Sequence, residues 1–106
     1  MNELEQMRSG AVMVFDRQVL MRQTMDDEAL ASQVLGLFIN HLNRLESSDW
    51  KTLEMPFEMH TLQGAAASVG AVQIQDLTAK WRAQGAELEA KMMQAAKAFR
   101  LAAQAF

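Results

Sequence analysis

The chain has no cysteine and no tyrosine, a single proline and only two histidines, His41 and His60, in 106 residues. Without cysteine there is no disulfide framework, thiolate nucleophile, iron–sulfur cluster or Cys-based zinc site. Two histidines are too few for a His-rich metal site, so neither a metal nor a cofactor is expected. Charge of one sign is also scarce: 10 Lys and Arg stand against 13 Asp and Glu, for a net charge of -3. With no basic stripe or Arg-rich run, a nucleic-acid partner is not expected. No apolar run approaches the roughly 18–20 residues needed to span a bilayer. Met1–Gly10 carries Glu3, Glu5 and Arg8 and lacks the apolar centre of a secretory signal. These absences lead to the expectation of a soluble, cytoplasmic protein that does not engage membranes. Met1 and the short tails favour a free-standing chain.

What remains is half apolar and includes nine methionines, a composition that suits helices better than a sandwich. The length corresponds to one domain that buries roughly 65% of its unfolded surface, enough for a core without staples. Residues 1–14 are expected to form a poorly ordered or loosely docked N-terminal segment. Residues 15–106 then carry the fold. Phe15 to Thr24 reads as a short helix with Phe15, Val19 and Leu20 on one side and Asp16 as N-cap. The stretch MDDEAL restarts the chain, with Asp26 or Asp27 capping. Leu30, Val34, Leu37, Phe38, Leu42 and Leu45 then recur at helical spacing in an amphipathic helix of about five turns that ends near Glu46-Ser47-Ser48.

Asp49 caps a helical turn over Asp49–Leu53. The next helix runs from about Met55 to Val69, with Pro56 tolerated in its first turn and Gly70 as its stop. Val72 begins another helix, with Ile74, Leu77, Trp81 and Leu88 at helical spacing and Gly85 as an interruption. Ala86 to Phe106 closes the chain, with Leu88, Met92, Ala95, Phe99 and Ala102 on one stripe. Short connections make neighbouring helices antiparallel. The expected fold is all-α: an antiparallel up-and-down four-helix bundle with a short additional N-terminal helix.

The segment from Met55 to Gly70 is the informative one. At about 100° per residue, Met55, Met59, Leu62, Ala66 and Val69 fall within an arc of about 80°, which is the buried stripe. His60 points away from it, with Gln63, Gly64 and Ala67 within about 60° and Phe57 on the same side one turn earlier. Gly64 in a helix interior costs about 0.5–1 kcal/mol relative to Ala. A solvated face gains nothing from that cost, so the glycine points to close approach by another molecule beside His60. Ala67 and Ser68 extend the low-relief surface. His41 has no such platform and reads as an ordinary helix histidine. Glu54 and Glu58 point away from His60, so paired-carboxylate catalysis is not expected.

His60 to Ala71, HTLQGAAASVGA, resembles the signature of histidine-containing phosphotransfer (HPt) domains: His-x-Leu-Lys-Gly, then small residues, then a small-apolar-Gly close. His60, Leu62, Gly64, Ala66, Ser68, Val69, Gly70 and Ala71 match it. The spacing from Ile74 to Trp81 is similar to the family's next helix, and the resemblance covers roughly residues 15–106. Two positions depart from it: Gln63 stands where Lys is usual, and Trp81-Arg82 where a Leu-Glu pair is frequent.

The resemblance implies a phosphocarrier in a multistep two-component phosphorelay, a phosphohistidine intermediate rather than a stand-alone enzyme. His60 would be the phosphoacceptor, taking its group from a receiver-domain aspartate and passing it to another receiver. The implied partners are response-regulator receiver domains and a hybrid sensor histidine kinase, with the carrier a monomer. Phe57, Gly64, Ala67 and Ser68 would dock the receiver. The neutral imidazole, with a lone pair on one ring nitrogen, is the nucleophilic form such a transfer would use. Phosphoryl transfer needs alignment and charge neutralisation, and the receiver would bring the metal and the acids. Gln63 offers a hydrogen bond but no charge. A hairpin turning near Gly70–Ala71 puts residues about 80–82 level with His60, so Arg82 is expected to supply the cation and to stabilise the phosphoryl group together with Gln63. Gln63 in place of Lys also motivates an alternative, an HPt-like module that binds a receiver or kinase without phosphotransfer. A generic helical scaffold pairing through the Met- and Ala-rich last helix is the third reading.

Overall fold

Asp16, Asp27 and Asp49 each open a helical element by accepting a hydrogen bond from a backbone N–H of its first turn, those of Gln18, Leu30 and Lys51, at 3.1 Å. Such caps satisfy donors that the helix itself leaves free. In the computed structural model, which describes residues 13–106, every regular element is helical. These are α1 (Arg17–Gln23), α2 (Glu28–Glu46), a 3-10 turn (Trp50–Thr52), α3 (Met55–Val69), α4 (Val72–Ala79), α5 (Trp81–Gln84), a second 3-10 turn (Gly85–Glu87) and α6 (Leu88–Ala103). The segment expected to be loosely held lies mostly outside the described residues. Of its two described members, Val14 packs against the core.

Of the two caps expected before α2, Asp27 takes the role. Asp26, with Met25, instead adopts a left-handed backbone that turns the chain out of α1. The core stripe of α2 differs from the one the apolar spacing predicts. Leu37 is 69% exposed and Leu30 38% exposed, whereas Ala31 and Leu35 are buried with Phe38, Leu42 and Leu45. The reason is angular. Positions 31, 35, 38, 42 and 45 span about 80° of the helix, and positions 30, 34 and 37 lie some 60–120° to one side of its centre. Those three make an apolar flank rather than a core face.

α3 runs as expected, with Pro56 in the first turn, where its missing N–H is one the helix does not use. Met59, Leu62, Ala66 and Val69 are buried, Met55 half-buried. Gly70 ends it in the left-handed conformation at φ 77°, and the Ala71 N–H closes the end on the Ala66 carbonyl at 2.9 Å. The helix expected from Val72 onward is broken earlier than Gly85. The Lys80 N–H is shared between the carbonyls of Asp76 and Leu77, and the buried Thr78 satisfies its hydroxyl on the Gln75 carbonyl at 2.7 Å. Ile74 and Thr78 are buried and Leu77 only half-buried, so the inward face is rotated from the predicted one. Gly85, the first residue of the second 3-10 turn, then takes φ 58° and ψ -134° directly after α5, a backbone open mainly to glycine. In α6 the buried stripe runs through Leu88, Met92, Ala95 and Phe99 to Ala103, with Ala102 at its edge.

α3 packs against α1, α2 and α4, and α6 against α2 and α4. Phe99 of α6 lies at the centre, fully buried, edge-on to Phe15 at 5.3 Å and to Phe38 at 5.1 Å. Arg100 adds a half-buried ion pair from α6 to Glu46 of α2. This frame holds α3 as a rigid post with one long face turned outward.

Candidate functional site

α3 carries the site because its stripe of Met59, Leu62, Ala66 and Val69 is anchored in the core. Anchoring those residues forces His60 to the opposite side, and His60 is exposed. The histidine stands on a ridge with two unlike flanks. Gln63, at about -60° from it, lies toward α4 and α5; Gly64, Phe57 and Ser68, at about +40° to +80°, lie on the other side, where Ser68 borders a groove shared with α2.

On the first flank a shallow depression of about 230 Å³ is lined by Pro56, Met59, His60 and Gln63 from α3 and by Thr78, Ala79, Trp81 and Arg82 from α4 and α5. His60, Gln63 and Arg82 therefore share one surface feature. Arg82 is exposed, and its guanidinium carbon sits 4.4 Å from the centre of the Trp81 ring. Among the described residues the ion pairs take Arg17, Lys80, Lys91 and Arg100, and Arg82 is not among them.

On the second flank Gly64 is exposed, and a Cβ built on it meets nothing within 4 Å. Among the described residues no neighbour demands glycine there. The Ser68 hydroxyl donates to the Gly64 carbonyl at 3.1 Å, which keeps that surface low and its polar groups satisfied. Ala67 is half-buried on the ridge. Phe57 is 66% exposed and so lies on the surface. An apolar groove runs along this flank, lined by Val34, Leu37, Phe38 and His41 of α2 and by Ala65, Ser68 and Val69 of α3. His41 has its Nε2 buried without a hydrogen-bond partner among the described residues. Burial first, and the Arg44 charge second, depress its pKa below the ordinary value; Glu58 opposes them.

The expected phosphoryl-side residues thus lie on one flank of His60, and most of the expected docking residues on the other. Sequence reasoning does not single out Val34 or Leu37 as surface residues, or Trp81 as a partner of Arg82. The over-wide apolar stripe of α2 is the signal for the first. The second had none, since adjacent residues on a helix do not ordinarily face each other.

No protein-family model matches the chain, and no curated protein or solved structure matches it either.

Proposed function

We propose that this protein is a phosphocarrier of the HPt type, a cytoplasmic four-helix up-and-down bundle in which α2, α3, α4 and α6 are the bundle helices and α1 the additional N-terminal one. The observation that carries this reading is the setting of His60: an exposed imidazole on the outward ridge of a core-anchored helix, with the cation Arg82, in no ion pair among the described residues, in the depression beside it. The HPt-like motif around His60 supports it. In the transfer, one ring nitrogen of His60 attacks phosphorus of a receiver's aspartyl phosphate. The P–O bond to the carboxylate breaks, and the carboxylate leaves with the electron pair. The proton on the other ring nitrogen is then released or held by solvent. The phosphorylated ring gains up to about two negative charges, which Arg82 and Gln63 offset as cation and hydrogen-bond donor. The reverse step delivers the group to a second receiver. The carrier itself supplies the nucleophile, its position and part of the charge balance; the metal and acidic pocket belong to the receiver.

Gln63 in place of a lysine favours a second reading, a module that binds a receiver or kinase without turnover. One experiment separates the two. The protein is incubated with a phosphorylated receiver and analysed for acid-labile, base-stable phosphate. The carrier reading expects label on the wild-type chain and none on His60→Ala. Binding without label supports the module, and neither binding nor label rejects both.

A further inference from the structure

Arg82 is a long, exposed side chain, and an exposed arginine ordinarily samples many rotamers. A flexible cation makes a poor partner for a phosphoryl group, because each hydrogen bond it forms first requires that motion to stop. This arginine is placed differently. Its guanidinium lies on the Trp81 ring at 4.4 Å, and both residues line the depression that holds His60 and Gln63. Trp81 is itself half-buried and packed against the core, so it is a firmer support than solvent. The local backbone sets its direction. The helix breaks at Lys80, Trp81 begins the short α5, and Gly85 at φ 58° ends that segment.

Stacking suits the task for a chemical reason. A guanidinium has five N–H donors in its own plane, and an indole covers only its face. A stacked arginine is held in place while its donors stay free for phosphate oxygens. A carboxylate partner would hold it equally well but would occupy those donors, and among the described residues none pairs with Arg82.

We infer that Trp81 is a positioning residue of the His60 site, stacking on Arg82 so that its guanidinium stands ready at the rim of the depression to bind the phosphoryl group on His60. The inference rests on the carrier reading and names the device that replaces the missing positive charge at Gln63. Trp81 acts only through Arg82 and does not touch the transferred group.

The test measures the lifetime of phospho-His60 after labelling with phosphoramidate, a small phosphoryl donor whose P–N bond breaks as ammonia leaves. Excess donor is removed, and loss of label is followed in the whole protein. Arg82→Ala and Trp81→Leu should each shorten the lifetime by about two- to five-fold, the equivalent of an exposed cation–π contact. Trp81→Phe, which keeps an aromatic face, should restore most of it. The double variant Trp81→Leu/Arg82→Ala should decay no faster than Arg82→Ala alone. A wild-type lifetime in Trp81→Leu overturns the inference. So does a multiplied loss in the double variant, since that is the mark of a general structural effect. If Trp81→Leu folds poorly, the Trp81→Phe comparison decides: a lifetime as short as that of Arg82→Ala in a stably folded Trp81→Phe overturns it. Absence of label on His60 from both phosphoramidate and a phosphorylated receiver overturns the carrier reading itself, whereas label whose lifetime ignores Trp81 overturns only the positioning role.

Discussion

The backbone N–H of Asp16 donates to the carbonyl of Gly70 at 2.8 Å, and a Cβ on Gly70 would collide with the carbonyl oxygen of Asp16. Two chain segments 54 positions apart meet here backbone to backbone: the residue that caps α1 and the residue that ends α3. The same glycine has φ 77°, so two demands fall on one position. It must turn left-handed to stop the helix, and it must leave room for the chain entering α1.

Gly70→Ala should therefore be among the most damaging single-methyl additions in the protein. The left-handed backbone alone costs roughly 1–2 kcal/mol with a side chain, and the contact with backbone atoms has no flexible neighbour to yield. A loss above about 2 kcal/mol is expected in urea unfolding. A loss below about 1 kcal/mol would show that α1 can move away without penalty.

The cluster of Phe99 with Phe15 and Phe38 makes a second prediction. Phe99 is fully buried and meets both rings edge-on. Phe99→Ala should lose about 3–5 kcal/mol, a large part of the 5–15 kcal/mol that holds a typical domain together. Phe99→Leu, which retains most of the volume, should lose clearly less. The measurement is the denaturant midpoint with the slope compared, so that a change in the unfolded ensemble is not mistaken for a loss of packing.

The parts of this fold that sequence reveals are those with strong local punctuation. Pro56 and Gly70 bracket α3, and Asp16, Asp27 and Asp49 mark three starts, because a missing N–H, a left-handed stop and a side-chain cap are local chemistry. The outward direction of His60 follows from the stripe of Met59, Leu62, Ala66 and Val69 for the same reason. The α2 core face was not legible, because Leu30, Val34 and Leu37 are as apolar as Leu35 and hydropathy does not tell a groove wall from a core. The break at Lys80 was hidden as well, since it depends on Thr78 being turned inward by tertiary packing. The shared depression of His60 and Arg82 was legible only as a level along a hairpin, and the support that Trp81 gives Arg82 lay outside helical periodicity altogether.

His41 yields a pH prediction. Its native pKa is depressed, first by burial and then by the Arg44 charge, with Glu58 opposing. As pH falls below about 6.5, the unfolded chain takes up this proton before the folded one does. Stability is thus fully present above that pH, declines as the pH drops, and levels off below the native pKa. His41→Leu removes the group and its buried Nε2, which has no hydrogen-bond partner among the described residues. The unfolding free energy of His41→Leu minus that of wild type should grow between pH 7 and pH 5, because carboxylate effects common to both chains cancel. A difference that stays constant over that range would sink the assignment of the pH response to His41.

Gly36 and Gly64 offer a paired test of whether the second flank of His60 is a contact surface. Both sit in helices, both are exposed, and a Cβ on either meets nothing within 4 Å. On helix propensity alone, Gly36→Ala and Gly64→Ala should each stabilise the protein by about 0.5–1 kcal/mol. They differ in place: Gly64 stands one turn beyond His60 on the α3 ridge, whereas Gly36 lies on α2. If a receiver approaches the α3 backbone closely, the added methyl group at position 64 keeps the two surfaces apart and lengthens the distance that phosphorus must cross, and alignment is what phosphoryl transfer depends on most. Gly64→Ala should then slow transfer from a phosphorylated receiver while its thermal midpoint rises, and Gly36→Ala should raise the midpoint with transfer unchanged. Labelling by phosphoramidate, which needs no docking surface, should be the same in both variants. Equal transfer rates for the two variants would mean that the glycine beside His60 serves no partner.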